Sequence, residues 1–147
     1  MIFKIDWVLK QQLAIGPAPV KKKHIELLKE NGIEIVFSLC SEVEANPPEE
    51  MKKTFRCERL VLPDHKSNRI FTFEELNEAV TMLQDLKSKG IVFVHCVAAV
   101  ERSPSVCMGL LIREKKLSLQ QALDYLMQLH PGTNPLPGQL DVLNLIK

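Results

Sequence analysis

No run of apolar residues in this 147-residue chain approaches the roughly 20 that a membrane-spanning helix needs, which excludes a helical membrane protein. The opening MIFKIDWV meets Asp6 after a handful of apolar residues, so it is not read as a secretory signal. Repeats, low-complexity tracts and long linkers are absent as well, and residues 1–147 read as one domain. Excess charge of one sign is also missing. Nineteen basic against eighteen acidic residues give a net charge of +1, too little for bulk attraction to nucleic acid or anionic lipid. The run Lys21-Lys22-Lys23 reads as the solvated start of a helix. Cysteines are few, and Cys40, Cys57, Cys96 and Cys107 fit neither a CxxC pair nor a zinc-ribbon spacing. No metal, cofactor or disulfide framework is therefore expected, and the thiols are read as reduced in a cytoplasmic protein. That leaves room for a reactive cysteine.

What is present suits a soluble globular domain with a proper core: 46% hydrophobic and 25% charged residues. Trp7–Leu9 and Leu13–Gly16 read as short edge strands, ended by the turn-rich Gly16-Pro17-Ala18-Pro19. Helical spacing from Val20 to Asn31 is stopped by Gly32, and Ile33–Cys40 is an apolar, β-branched strand. Asn46-Pro47-Pro48 breaks the chain before a further strand over Thr54–Leu60. Thr72-Phe73-Glu74-Glu75 is a capping box that opens a helix to about Lys89, followed by Gly90. Ile91–Val94 is a fully apolar strand of the kind found in mid-sheet. Three helices are expected after it: Ser103–Lys116 with Pro104 in its first turn, a segment capped by Ser118 and Gln121 that runs to Leu129, and Pro137–Ile146. Alternating strands and helices make the fold α/β, with a central, mostly parallel sheet of about four to five strands flanked by helices.

The stretch His95-Cys96-Val97-Ala98-Ala99-Val100-Glu101-Arg102-Ser103 joins the mid-sheet strand to a helix. Ligands in open α/β sheets bind at the carboxyl ends of strands, and a helix N-terminus there aims N–H groups and partial positive charge into the loop. Arg102 adds a planar fork suited to phosphate. These groups should favour the Cys96 thiolate, which would then lie under a bound phosphate as an in-line nucleophile. The bland alternative is a buried, inert cysteine. Ester cleavage also needs a proton for the leaving oxygen, and Leu62-Pro63-Asp64-His65 supplies a carboxylic acid in a polar loop. Taken alone, Asp64 reads equally as a turn residue.

His95-Cys96-x5-Arg102-Ser103 with Asp64 placed 32 residues upstream resembles the cysteine-dependent protein tyrosine phosphatases, in their compact dual-specificity branch. Trp7, Leu13–Gly16, Ile35–Leu39, and Thr133-Asn134-Pro135 with Gln139-Leu140 extend the similarity along nearly the whole chain. The resemblance implies Cys96 as nucleophile, Arg102 as phosphate and transition-state clamp, and Ser103 as stabiliser of the departing thiolate. It implies Asp64 as general acid and then base, with phosphate held by residues 97–102. His95 would orient the loop and Asn134 brace it, though a strand-end cap and a turn residue are their plainer readings. Cys40 would be a redox partner for Cys96 or simply core packing, with Cys107 a weaker rival.

Two residues depart from the family pattern. Ala99 stands where glycine is usual, which is tolerable if the backbone keeps negative φ or the loop shifts slightly. Glu101 neighbours Arg102 and is expected to face outward and hold that arginine from behind. The implied substrates are phosphorylated proteins carrying phosphotyrosine, phosphoserine or phosphothreonine, with His65, Lys66 and Arg69 at the rim, and the chain is expected to be a monomer. Two rival functions share the cysteine–arginine loop: a phosphate-binding module weakened in catalysis, and a sulfur-transferase or arsenate-reducing enzyme.

Overall fold

Period-two alternation sorts the strand side chains onto two faces. In this computed structural model, which describes residues 2–147, the strands are β1 (Asp6–Leu9), β2 (Leu13–Gly16), β3 (Ile35–Ser38), β4 (Arg56–Arg59) and β5 (Val92–His95). They form one sheet in the order β1-β2-β5-β3-β4, antiparallel between β1 and β2 and parallel elsewhere. Leu13, Ile15, Ile35, Phe37, Val92 and Val94 point to one face. Ala14, Val36 and Phe93 point to the other.

The larger face is covered by α3 (Phe73–Lys87), α4 (Arg102–Lys115), α5 (Leu119–Leu129) and α6 (Pro137–Leu143). The smaller face takes α1 (Lys22–Glu30) and α2 (Glu50–Thr54), through Ile25, Leu28 and Met51. The expected α/β class and parallel sheet are therefore present. Three details differ from the sequence reading. β2 is no edge strand, since β5 pairs with its far side. The five-residue α2 follows the prolines too briefly to show a helical period. The last helix stops at Leu143 rather than Ile146.

Helix ends follow the local chemistry that marked them. The Glu75 amide donates to Thr72 Oγ1 at 3.1 Å while the Thr72 amide donates to Glu75 Oε1 at 2.8 Å. Ser118 and Gln121 repeat that exchange at 3.1 and 2.9 Å. Behind α1, Gly32 takes φ +80°, a left-handed turn that a side chain resists, and the chain drops straight into β3. At the outer edge, β4 carries Arg56, Glu58 and Arg59, charges that discourage pairing with another chain.

This architecture positions the site. β5 lies in mid-sheet with His95 in register with Gly16 on one side and Ser38 on the other. Three parallel strands end together there, and the segment that leaves β5 must cross their carboxyl ends to reach α4.

Candidate active site

The segment from Cys96 to Arg102 is fastened by its carbonyl groups. The Ala18 amide donates to Val97 O at 3.0 Å and the Asn134 amide to Val100 O at 2.9 Å. His130 Nε2 donates to Ala99 O at 2.7 Å. Among the described residues, the N–H groups of 97–101 have no backbone partner. With the free N–H groups of the first turn of α4, they make a run of unpaired donors, the kind of group that can hold an oxyanion.

Asn134 meets the loop through its main-chain N–H, with its side chain exposed. Ala99 has φ +60°, so the first of the two conditions named for tolerating it, a negative φ, is not met. A left-handed alanine costs about 1–2 kcal/mol. Its methyl is buried in the main core, which returns about 0.8 kcal/mol, and it is spared the extra chain entropy of glycine, about 0.5–1 kcal/mol. The terms nearly cancel, and alanine is tolerated.

Cys96 lies buried at the foot of this loop, its Sγ 3.3 Å from Ser103 Oγ, a hydroxyl able to donate to a thiolate. His95 is fully enclosed beneath it. Because a carbonyl can only accept, the 2.8 Å contact to Cys96 O places a proton on His95 Nδ1, and Nε2 then accepts from Ser38 Oγ at 2.7 Å. Burial depresses the imidazole from its ordinary 6.5 to about 4, so the ring is neutral in the folded protein. A histidine with a depressed folded value stabilises the fold above its unfolded pKa, and that stability is lost as pH falls toward the folded one. Between pH 7.5 and 5, where most carboxylates stay ionised, His95 is expected to remove about 2 kcal/mol of unfolding free energy. Denaturant titrations across that range check it, with His95→Gln flattening the loss.

Arg102 is 3% exposed, and its guanidinium is held on one edge. Glu44 takes both terminal nitrogens, Nη2 at 2.9 Å and Nη1 at 3.3 Å, and Nη1 also donates to Leu62 O at 3.0 Å. Nε has no protein partner, yet no buried side-chain nitrogen among the described residues is left unpaired, so this edge opens into the cleft. Glu44 is the residue that sequence reasoning missed. Burial pushes its carboxyl up, but bonds from Arg102 and Ser41 outweigh that and hold it below the usual carboxylate range. A signal existed: Ser41-x-x-Glu44 forms a reciprocal capping exchange just after β3, with no helix behind it. His130 was missed too. It is buried, and its Nδ1 donates to Asp6 Oδ2 at 2.6 Å while the other nitrogen holds the loop.

Asp64 faces the loop from across the cleft, Oδ2 lying 3.8 Å from Arg102 Nη2. Its Oδ1 accepts from the Lys66 amide at 2.9 Å and from Ser67 Oγ at 3.3 Å, capping the short 3-10 turn His65–Ser67. Partial burial pushes the carboxyl up, but the Lys66 amide, Arg102, Ser67 and His65 together leave it below its ordinary value.

Glu101 corrects a further expectation. It makes no bond to Arg102 and does not face outward. Its Oε2 accepts from His65 Nδ1 at 2.7 Å and its Oε1 from Gln139 Nε2 at 3.2 Å, partners that α6 and the 65–67 turn bring within reach. Arg69 is not at the rim, being spent on a two-pronged pair with Glu75 at 2.8 and 2.9 Å. Cys40 ends up beside His95, 4.0 Å from Nδ1, after β3 and β5 pair as expected. Burial raises its thiol pKa and raises that of Cys107 further.

These side chains surround a cleft of about 380 Å³ in which Cys96, Arg102, Asp64, His65, Lys66 and Glu44 all appear. A mid-sheet strand, a cysteine at its end, a run of free amides and an arginine at the helix start define the cysteine-dependent phosphatase class. The comparisons place the chain within that class. Residues 17–147 match the family model "Dual specificity phosphatase, catalytic domain", and the chain belongs to that family. It is 33% identical over 88 residues to dual specificity protein phosphatase 1-A of Xenopus laevis, covering 58% of this chain and 23% of that protein. It is 32% identical over 75 residues to human dual specificity protein phosphatase 5, covering 50% of this chain and 20% of that protein. The matched segment thus spans about a fifth of the length of these relatives. The solved structure of Tk-PTP in its active form superposes with a TM-score of 0.82 at 20% identity, covering 97% of this chain and 95% of that one. The human tyrosine phosphatase-like serine/threonine/tyrosine-interacting protein superposes at 0.79 with 22% identity, covering 95% and 92%. Both structures share the fold. No helix among the described residues is long and apolar enough to cross a membrane.

Proposed function

We propose that the domain hydrolyses phosphate monoesters on phosphorylated proteins through a cysteinyl-phosphate intermediate. One observation carries this reading: Cys96, the loop residues Val97, Ala98, Val100 and Glu101 with their unpaired amides, Arg102 and Asp64 all line a single cleft. The phosphate oxygens sit among the amides and on Arg102 Nε and Nη2. The thiolate attacks phosphorus as the ester oxygen departs with the proton of Asp64. Asp64 then takes a proton from water, whose oxygen attacks phosphorus and releases the thiolate, which Ser103 Oγ stabilises. Glu44 and Leu62 O hold Arg102 in this orientation, and His95 holds the Cys96 carbonyl.

Anion site, nucleophile and acid are all supplied by the protein, so the activity requires no added metal. Phosphotyrosine, phosphoserine and phosphothreonine are all read as substrates, with Lys66 at the mouth favouring acidic sequences. Cys40 receives no chemical step, because full burial and a raised thiol pKa favour its reading as core packing. The test is hydrolysis of an aryl phosphate in the presence of a chelator. Turnover supports the phosphatase. Tight phosphate binding without turnover would instead make this a phosphate-binding module.

A further inference from the structure

The acid turn has little to hold it in place. Leu62 and Phe71, each 1% exposed, anchor the segment at either end, and residues 65–69 between them are exposed. Within 63–68, the Lys66 amide and Ser67 Oγ donate to Asp64 Oδ1 and the Asp64 amide donates to Ser67 Oγ, all inside the turn. Among the described residues, the single hydrogen bond that leaves it is His65 Nδ1 to Glu101 Oε2, at 2.7 Å. The other contact out of the turn, Asp64 to Arg102 at 3.8 Å, is an ion pair longer than a hydrogen bond.

Glu101 is itself well fixed. It is the last residue of the phosphate loop and the N-cap of α4. Its second oxygen is gripped by Gln139, which is 1% exposed and whose own Oε1 accepts from the Leu136 amide at 2.8 Å. A buried amide on α6, a carboxylate on the phosphate loop and an imidazole next to the acid therefore form one line.

We propose that Glu101 is a positioning residue: through His65 it ties the Asp64 turn to the phosphate loop, setting the distance between the general acid and the leaving oxygen. This deepens the phosphatase reading and rests on it. The tie contributes little to stability, since the His65 side chain is 54% exposed and water screens such pairs. Catalysis is more demanding, because a displacement of about 1 Å at a reacting group can cost on the order of a hundredfold. Pairing with His65 and Gln139 also explains how a carboxylate beside the phosphate site is accommodated: its oxygens are occupied by donors rather than turned on the anion.

The experiment combines kinetics with amide exchange on the full chain. Glu101→Ala is expected to lower kcat/KM about ten- to a hundredfold for aryl phosphates with poor leaving groups, and about twofold or less for good ones that need no proton. Added to Asp64→Asn it should cost nothing further, because the acid it positions is gone. Glu101→Gln, which keeps an acceptor for His65, should recover most of the activity. Inhibition by phosphate should change about tenfold or less, showing the loop intact. Hydrogen exchange in the peptide spanning 63–70 should accelerate in Glu101→Ala while β5 and α4 remain protected. An equal loss for all leaving groups, or full additivity with Asp64→Asn, would overturn the proposal. If the wild-type chain turns over no aryl phosphate, the phosphatase reading fails, and unchanged exchange at 63–70 separately refutes the tie.

Discussion

Cys96→Ser is expected to lower aryl phosphate turnover by on the order of ten-thousandfold or more while phosphate binding survives. The two effects separate because different parts of the chain cause them. In the proposed mechanism, binding rests on main-chain amides of 97–101, in a loop whose carbonyls accept from Ala18, His130 and Asn134, and on Arg102; none involves sulfur. Attack at phosphorus rests on Sγ alone. A serine hydroxyl stays protonated where a thiol can ionise, and no base lies beside it: the neighbouring Ser103 Oγ at 3.3 Å is a donor to the nucleophile, and neutral His95 already directs its Nδ1 proton at a carbonyl. Losing an entire nucleophile typically removes several orders of magnitude. Calorimetric titration of phosphate beside a turnover assay reads both quantities. Turnover near the wild-type rate in the serine variant would exclude the covalent mechanism.

Asp64→Asn is expected to slow esters with poor leaving groups about a hundred- to ten-thousandfold and to spare good leaving groups. The pH profile gives the sharper signature. In the free protein the Asp64 carboxyl lies below its ordinary value, so the acid form needed for donation is lost early as pH rises, and the alkaline limb of kcat/KM falls at acidic pH. Bound phosphate brings negative charge against Asp64, which favours the protonated form. The alkaline limb of kcat is therefore expected at higher pH than that of kcat/KM, and both should vanish in Asp64→Asn. A persisting limb in the variant would assign proton donation elsewhere, with His65 the next group to test.

Much of this site was legible because its chemistry is local. Strand, loop and helix N-terminus are written in one run of residues, and the capping exchanges of Thr72 and Ser118 span three positions each. What stayed hidden depends on separation. Glu44 meets Arg102 across 58 positions and Asp6 meets His130 across 124, and no period or spacing records such encounters. Glu101 was expected to face outward and back Arg102; instead it meets His65 across 36 positions, in a turn whose location only the fold decides. Ala99 shows a different limit. Residue type biases φ without dictating it, and here loop closure and a buried methyl prevailed over the bias.

The position of β5 has a consequence for how the protein is made. Its two partners, β2 and β3, both precede it, and they flank it in the finished sheet. A growing chain that has produced β3 therefore holds two apolar strands with a vacancy between them until β5 emerges, more than fifty residues later. At about 5–20 residues per second that interval lasts several seconds. Throughout it, the unpaired edges of Ile15 and Phe37 invite any extended segment that fits, including the same strand of a neighbouring nascent chain. The insertion that completes the sheet also delivers Cys96 to its cleft, so premature release leaves a chain that is both sticky and without Cys96 in place.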